Sequence, residues 1–258
     1  MRPNLFIVGG QKCGTSALAH FLSQHPDVCL AKDKEAHVFD HPNFLSEDGR
    51  VSASDDLLDE AYSEKFSHAR NERYWCDATP IYAYLPHILP TLIKYAPGAK
   101  IIFMMRDPVE RAISQYTMER KRGFEQESML KAFWLESKRL SHANNDYSWH
   151  SAIRTQSYLH RGCFIDQLAR INQHIPSENV LIIHNDELRF HHQQTMQKVY
   201  TFLDVQDADI PAESVFAGHY TSPSLSERVA KFYAKAKLYR EQKFVRQYAE
   251  NTAKSSEL

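Results

Sequence analysis

The chain has 258 residues, 43% of them hydrophobic and 24% charged, with a net charge of −1. That length suits one α/β domain with a full core, and the charge balance gives no electrostatic case for nucleic acid or an anionic membrane, so any anion site must be local. The four cysteines (Cys13, Cys29, Cys76, Cys163) form no C-x-x-C pair and lack metal-ligand spacing, so they read as free thiols of a reducing, cytoplasmic compartment.

The first apolar run, Leu5 to Val8, is predicted as a strand and begins too early to leave room for a signal peptide. No apolar run is long enough to span a bilayer, and no internal repeat or Pro/Gly/Ser linker divides residues 1–258. After the strand come Gly9-Gly10-Gln11-Lys12-Cys13-Gly14-Thr15-Ser16 and then a helical pattern from Ala17 to Leu22. Strand, glycine loop and helix together cradle phosphate, because glycines let backbone N–H groups approach an anion and the helix N-terminus adds partial positive charge. The loop is not a Walker A sequence. Gly9 and Gly14 have the spacing, but Thr15 stands where the lysine belongs and the lysine lies inside the loop as Lys12. A tight turn with an incidental lysine is the plainer reading of the same residues.

His25-Pro26-Asp27 reads as a turn and Val28 to Leu30 as a short strand. The polar run Lys32 to His41 follows, on a loop able to face the same sheet end as the glycine loop. Glu35 beside Lys32 and Lys34 can stay ionised and accept a proton, while His37 has the more convenient unperturbed pKa. A solvated charged loop fits the composition as well. His37 and His41 with Glu35 and Asp40 also raise a metal reading, which Pro42 and the lack of a matching ligand group weaken. Residues 44–54 read as an exposed loop. Asp55 to Arg70 is predicted as a helix with Leu57, Leu58, Ala61, Tyr62 and Phe66 on its apolar side. Tyr74 to Cys76 is a strand leading into Asp77-Ala78-Thr79-Pro80-x-Tyr82, and Pro86 to Tyr95 is a helix ended by Pro97-Gly98.

Lys100 to Met105 is the clearest buried strand and ends at Arg106. Asp107 as N-cap, Pro108 at the first helical position and Glu110 in the first turn make a strong helix start, with Ser114 about two turns in. A guanidinium and a hydroxyl so placed suit phosphate oxygens, although strand-end arginines also serve as plain ion-pair partners. Gln126 to Leu140 reads as a helix, and Ser141 to Ser151 as a polar loop whose Tyr147, Trp149 and His150 either stack on an acceptor or cap the local core. Arg161-Gly162-Cys163-Phe164 precedes Gln167-Leu168, Asn179 to His184 is the last buried strand, and Thr195 to Leu203 is a helix. Ser226 to Tyr248 is predicted helical, with Val229, Phe232, Ala236 and Tyr239 on one side and a solvated basic face around Lys231, Lys235, Lys237 and Arg240.

Taken together, these stretches resemble the sulfotransferases that use 3′-phosphoadenosine 5′-phosphosulfate (PAPS), especially the heparan sulfate N- and O-sulfotransferase group and its bacterial relatives. Gly10 to Leu18 looks like their 5′-phosphosulfate loop, implying donor contacts from Gln11, Lys12, Cys13, Gly14, Thr15 and Ser16. Lys34-Glu35-x-His37-x-Phe39 resembles a segment whose glutamate is the proposed base, leaving His37 as a second catalytic candidate. Arg106 to Tyr116 resembles the motif whose arginine and serine bind the donor's 3′-phosphate. Arg161 to Leu168 resembles R-G-x-Y-x-x-Q-L with Phe164 for tyrosine, which makes Arg161 a further candidate. In Asp77 to Tyr82 some relatives carry a catalytic lysine where this chain has Ala78. The likeness covers about residues 4–204, and the family's later Lys/Arg-Gly loop has no secure counterpart in Phe216 to Ser226.

The resemblance implies a mostly parallel, P-loop-like α/β fold with a C-terminal helical segment at about 225–250. It further implies sulfuryl transfer from PAPS to a hydroxyl or amine of a carbohydrate-like or small-molecule acceptor, with 3′-phosphoadenosine 5′-phosphate (PAP) as product and no metal. A P-loop kinase using ATP and Mg²⁺ is the alternative, disfavoured by the displaced lysine and by a best strand that ends in arginine. A nucleotide-binding module without turnover is the other.

Overall fold

The structure is a computed structural model describing residues 2–212 and 224–255, with no side chains described at 253–255. Five strands form one parallel sheet in the order β2-β3-β1-β4-β5: β1 is Leu5–Gly9, β2 Val28–Leu30, β3 Tyr74–Asp77, β4 Lys100–Met105 and β5 Val180–His184. Every pairing is parallel, with Phe6 opposite Ile101 and Ile102 opposite Leu181. Helices cover both faces, which is why β1 and Ile101 to Met105 are apolar throughout rather than alternating.

The connections run through helices. α1 (Thr15–Leu22) follows β1, α2 (Asp55–Lys65) precedes β3, and α3 (Ile88–Tyr95) precedes β4. Beyond β4 come α4 (Pro108–Lys121), α5 (Met129–Ala143), α6 (Ala152–Thr155) and α7 (Phe164–His174). After β5 lie α8 (Asn185–Phe190), α9 (His192–Leu203), α10 (Leu225–Lys237) and α11 (Tyr239–Ser255). The chain leaves β1 for β2 on one side and later crosses to β4 on the other. The turns after β1 and β4 therefore diverge over a crevice at the C-terminal sheet edge, where open α/β sheets take their ligands.

α4 starts as its residues dictate. The Asp107 side chain accepts from the backbone N–H groups of Val109 and Glu110, at 3.0 and 2.9 Å, and Pro108 occupies a position whose N–H needs no partner. α2 stops at Lys65 instead of Arg70. Leu58, Tyr62 and Phe66, one turn apart, face the core, whereas Leu57 projects to solvent at 48% exposure.

The C-terminal helix differs more. It breaks at buried Leu238 into α10 and α11, and α10 buries Ala230 and Ala234, which with Leu238 pack with Val109, Tyr116 and Phe133 of α4 and α5. Val229, Phe232 and Tyr239 are exposed. Small side chains let α10 approach those two helices closely, a gain in packing that outweighs burying the larger stripe. Residues 216–223 of the stretch searched for the Lys/Arg-Gly loop lie outside the described residues.

Candidate active site

Over the crevice opens a cavity of about 1250 Å³. Its walls include Gln11, Lys12, Gly14, Thr15, Ser16, Glu35, His37, Arg106, Ser114 and Arg161. Residues far apart in sequence thus meet in one space because β1 and β4 are neighbours and α4 runs along its edge.

On one side the glycine loop is held by backbone. The N–H of Gly10 donates to the carbonyl of Met104 at 2.8 Å, tying the loop to β4. Gly14 sits at φ +95°, where a side chain is strained, and a Cβ there would come within 2.4 Å of the Asn185 amide. That amide donates to the carbonyl of Cys13 at 3.0 Å. Gly14 is also the N-cap of α1, and no side chain caps the helix. The first turn therefore presents its N–H groups and positive dipole end to an anion. The Cys13 side chain faces away: it is fully buried, and burial pushes its thiol up to about 12. Cys13 thus contributes backbone only.

Lys12 turns over this loop toward α4, its Nζ 3.6 Å from Met118 Sδ. Burial, and then the charges of Arg122 and Arg106, lower its pKa. Arg106 leaves β4 and Ser114 lines the cavity from α4. Arg161 is buried and acts first as a brace. Its guanidinium donates to the side-chain oxygen of Gln11 and to the carbonyls of Ile153 and Arg154, and it lies 4.6 Å from the centre of the Tyr84 ring.

The opposite side is built from side chains. Glu35 receives Lys34 Nζ at 3.1 Å on one oxygen and His37 Nε2 at 3.2 Å on the other. His37 Nδ1 meets Asp40 at 2.9 Å, and Asp40 receives Arg154 Nη1 at 2.5 Å. Burial works against ionising Glu35, but the His37 hydrogen bond and the Lys34 charge prevail and bring it down to about 2. Burial likewise opposes the imidazolium, yet Asp40 and Glu35 hold His37 up at about 9. At neutral pH the row Glu35, His37, Asp40, Arg154 therefore alternates in charge. The cations in contact with Glu35 are Lys34 and His37, not Lys32. His41 accepts from the N–H of Asn43 and caps a turn. Among the described residues no three His, Cys, Asp or Glu side chains gather as a metal site.

The stretch Asp77 to Tyr82 supports this row from below. Buried Asp77 accepts hydrogen bonds from Thr79 at 2.6 Å, Tyr62 at 2.8 Å and Tyr82 at 2.9 Å. Thr79 in turn accepts from the N–H of His37, and the Tyr82 hydroxyl accepts from the N–H groups of Val38 and Phe39. Trp149 stands edge-on to His37 with ring centres 5.3 Å apart, and Arg154 lies over its face. Trp149 and His150 thus line the cavity, His150 stacking on Phe124 at 5.1 Å, while Tyr147 packs against the core. Arg154, Arg122, Glu119 and Asn185 are site residues that motif reading missed. Arg154 has no charged neighbour to mark it, and Glu119, Arg122 and Asn185 sit in polar runs that read as ordinary solvated surface.

The sequence profile described as the sulfotransferase family matches residues 3–209. The chain belongs to this family. A crystal structure of a sulfotransferase from Alicyclobacillus acidocaldarius superposes with a TM-score of 0.68 at 28% identity, covering 95% of this chain and 96% of that one. Mouse sulfotransferase SULT7A1, solved with PAP, shares the fold at a TM-score of 0.50 and 19% identity, over 80% of this chain and 60% of that one. Among curated relatives, the bifunctional heparan sulfate N-deacetylase/N-sulfotransferase 3 of Mus musculus is 25% identical over 79% of this chain, which corresponds to 22% of the relative. The chain therefore spans less than a quarter of the length of that relative. No helix among the described residues is long and apolar enough to cross a membrane.

Proposed function

We propose that this chain transfers a sulfuryl group from PAPS to a hydroxyl or amine of a carbohydrate-like acceptor, with Glu35 as the base. The observation that carries the reading is the single cavity joining the anion-ready loop, Arg106 and Ser114 to the ionised Glu35 carboxylate. The family uses PAPS as its sulfuryl donor, and the residues here fit such a group. Lys12, Arg106 and Arg122 supply positive charge, the uncapped end of α1 supplies N–H donors, and the cavity has room for both substrates. Lys12 and the N–H groups at Thr15 and Ser16 would hold the 5′-phosphosulfate end, and Arg106 with Ser114 the 3′-phosphate.

In the transfer, the bond from sulfur to the 5′-phosphate oxygen breaks as the bond to the acceptor oxygen or nitrogen forms. Lys12 stabilises the charge growing on the departing phosphate, and Glu35 takes the acceptor's proton. Glu35 is a weak base while Lys34 and His37 both hold it. Lys34 Nζ also lies 3.4 Å from Thr15 Oγ1 on the glycine loop, so an anionic donor competes for that ammonium and frees Glu35 as the acceptor arrives. His37, fixed by Asp40, orients Glu35 and is not itself the base, being already protonated. The aromatic wall of Trp149, His150 and Phe124 suits the apolar face of a sugar. A heparan sulfate enzyme among the relatives favours a glycan acceptor, and four unpaired thiols suit a cytoplasmic setting.

Two measurements test the reading. Labelled sulfate from PAPS should pass to an acceptor in a glycan panel without added Mg²⁺. PAP should bind one to two decades more tightly than adenosine 5′-phosphate, the worth of a charge-assisted pair of about 1.5–3 kcal/mol. Equal affinity for the two nucleotides removes Arg106 and Ser114 from the donor site.

A further inference from the structure

Glu119 is the one acid among the cavity-lining residues of α4, and the arrangement gives it no more than a loose ion pair with Arg122. Its side chain is 2% exposed, yet Oε2 has no hydrogen-bond donor. Oε1 lies 3.8 Å from Arg122 Nη1, beyond hydrogen-bond length. Leaving a buried carboxylate oxygen unpaired costs stability, so packing does not explain the residue. The groups that act on it come from several elements: Lys12 from the glycine loop, Arg122 from the end of α4, Arg161 from the turn before α7, and the Tyr158 hydroxyl nearby. Three of these are cations that share the cavity wall with it. Lys12 meanwhile rests against Met118, the residue next to Glu119.

An anion entering this cavity changes the balance. It draws Lys12 and Arg122 to itself and sets its own negative charge beside the carboxylate. Only the protonated carboxyl can then both avoid repulsion and donate a hydrogen bond to an anionic oxygen. We propose that Glu119 enters the donor complex as a carboxylic acid, taking up a proton when the nucleotide binds and donating its O–H to a phosphate or sulfate oxygen. The proposal rests on the assignment of this cavity to a phosphorylated nucleotide. Burial already raises the Glu119 pKa in the free protein, against the opposing charges of Arg122, Arg161 and Lys12, which shortens the step. Glu119 thereby becomes a donor-binding residue that ties donor affinity to pH.

The test is calorimetry of PAP binding to the whole chain in buffers of different ionisation heat, between about pH 7 and 8.5. The nucleotide's own phosphates, with a second pKa of about 6, shed protons on entering a cationic site. The quantity to read is therefore the difference between wild type and Glu119→Gln. Wild type should take up as much as one proton more than the variant, and its affinity relative to the variant should fall by up to tenfold per pH unit. Glu119→Asp should restore part of the uptake. Identical proton counts and parallel pH profiles overturn the proposal. Should Glu119→Gln fail to fold, isotope-edited infrared spectroscopy of the wild type replaces it. PAP must then bring out a protonated-carboxyl band, and its absence is equally decisive against Glu119. PAP that fails to bind wild type at all overturns the donor assignment instead.

Discussion

The loop side of the cavity is held by backbone, whereas the side around Glu35 is held by side chains. Residues 9–16 keep their shape through the Gly10–Met104 hydrogen bond, the positive φ of Gly14 and the start of α1. Glu35 keeps its place through His37, Asp40 and Arg154, and through Thr79 and Tyr82 under the loop. A backbone-held wall tolerates many side-chain changes and fails when a Cβ is added. A wall of alternating charges fails when one charge is removed, because the neighbour is left buried and unpaired. The first suits binding an invariant group such as phosphate, and the second suits tuning a proton acceptor.

Removing the proposed base is the strongest way to separate the two walls. Glu35→Gln keeps the shape, so PAP should bind as to wild type while turnover falls by roughly two to four decades. Steady-state rates beside PAP calorimetry read both effects, and an active Glu35→Gln with a dead His37→Ala would transfer the base to the histidine. Arg154→Met comes next. It strips Asp40 of one of two cationic partners and should lower stability by about 3 kcal/mol in urea unfolding, at the low end for a broken buried pair because His37 remains. A loss below about 0.5 kcal/mol, the size of an ordinary surface substitution, means that the charge row does not hold this wall.

Gly14→Ala probes the backbone wall. The left-handed conformation costs a non-glycine residue about 1–2 kcal/mol, and the added methyl meets the Asn185 amide. PAP affinity should drop while His37 keeps its titration, and a variant with unchanged unfolding and PAP binding contradicts the strain argument. The smallest effect sharpens the contrast. A proton NMR titration should place the His37 midpoint near 9, and Asp40→Asn should return it toward about 6.5. The raised His37 stabilises the fold fully below its ordinary pKa and loses that contribution as pH rises through about 9. The depressed Glu35 does the reverse, losing its contribution as pH falls toward about 2. A His37 midpoint at the ordinary value removes the ion row.

The same division explains what could be read from the residues alone. The strand at Lys100 to Met105, the Asp107 cap, the glycine loop and the placing of Arg106 and Ser114 depend on neighbours within a few positions, so hydrophobic period, cap chemistry and φ preference determined them in the sequence. Tertiary structure decided the rest. Arg154 reaches Asp40 across 114 positions, Asn185 reaches Cys13 across 172, and nothing beside either residue marks the meeting. The buried side of α10 was settled by close approach of Ala230 and Ala234 to α4 and α5, against the larger stripe that periodicity favours. Local patterns fix a residue's backbone state. Which side chains share a dry space, and hence which way His37, Glu35 and Glu119 titrate, follows only from where the strands and helices finally pack.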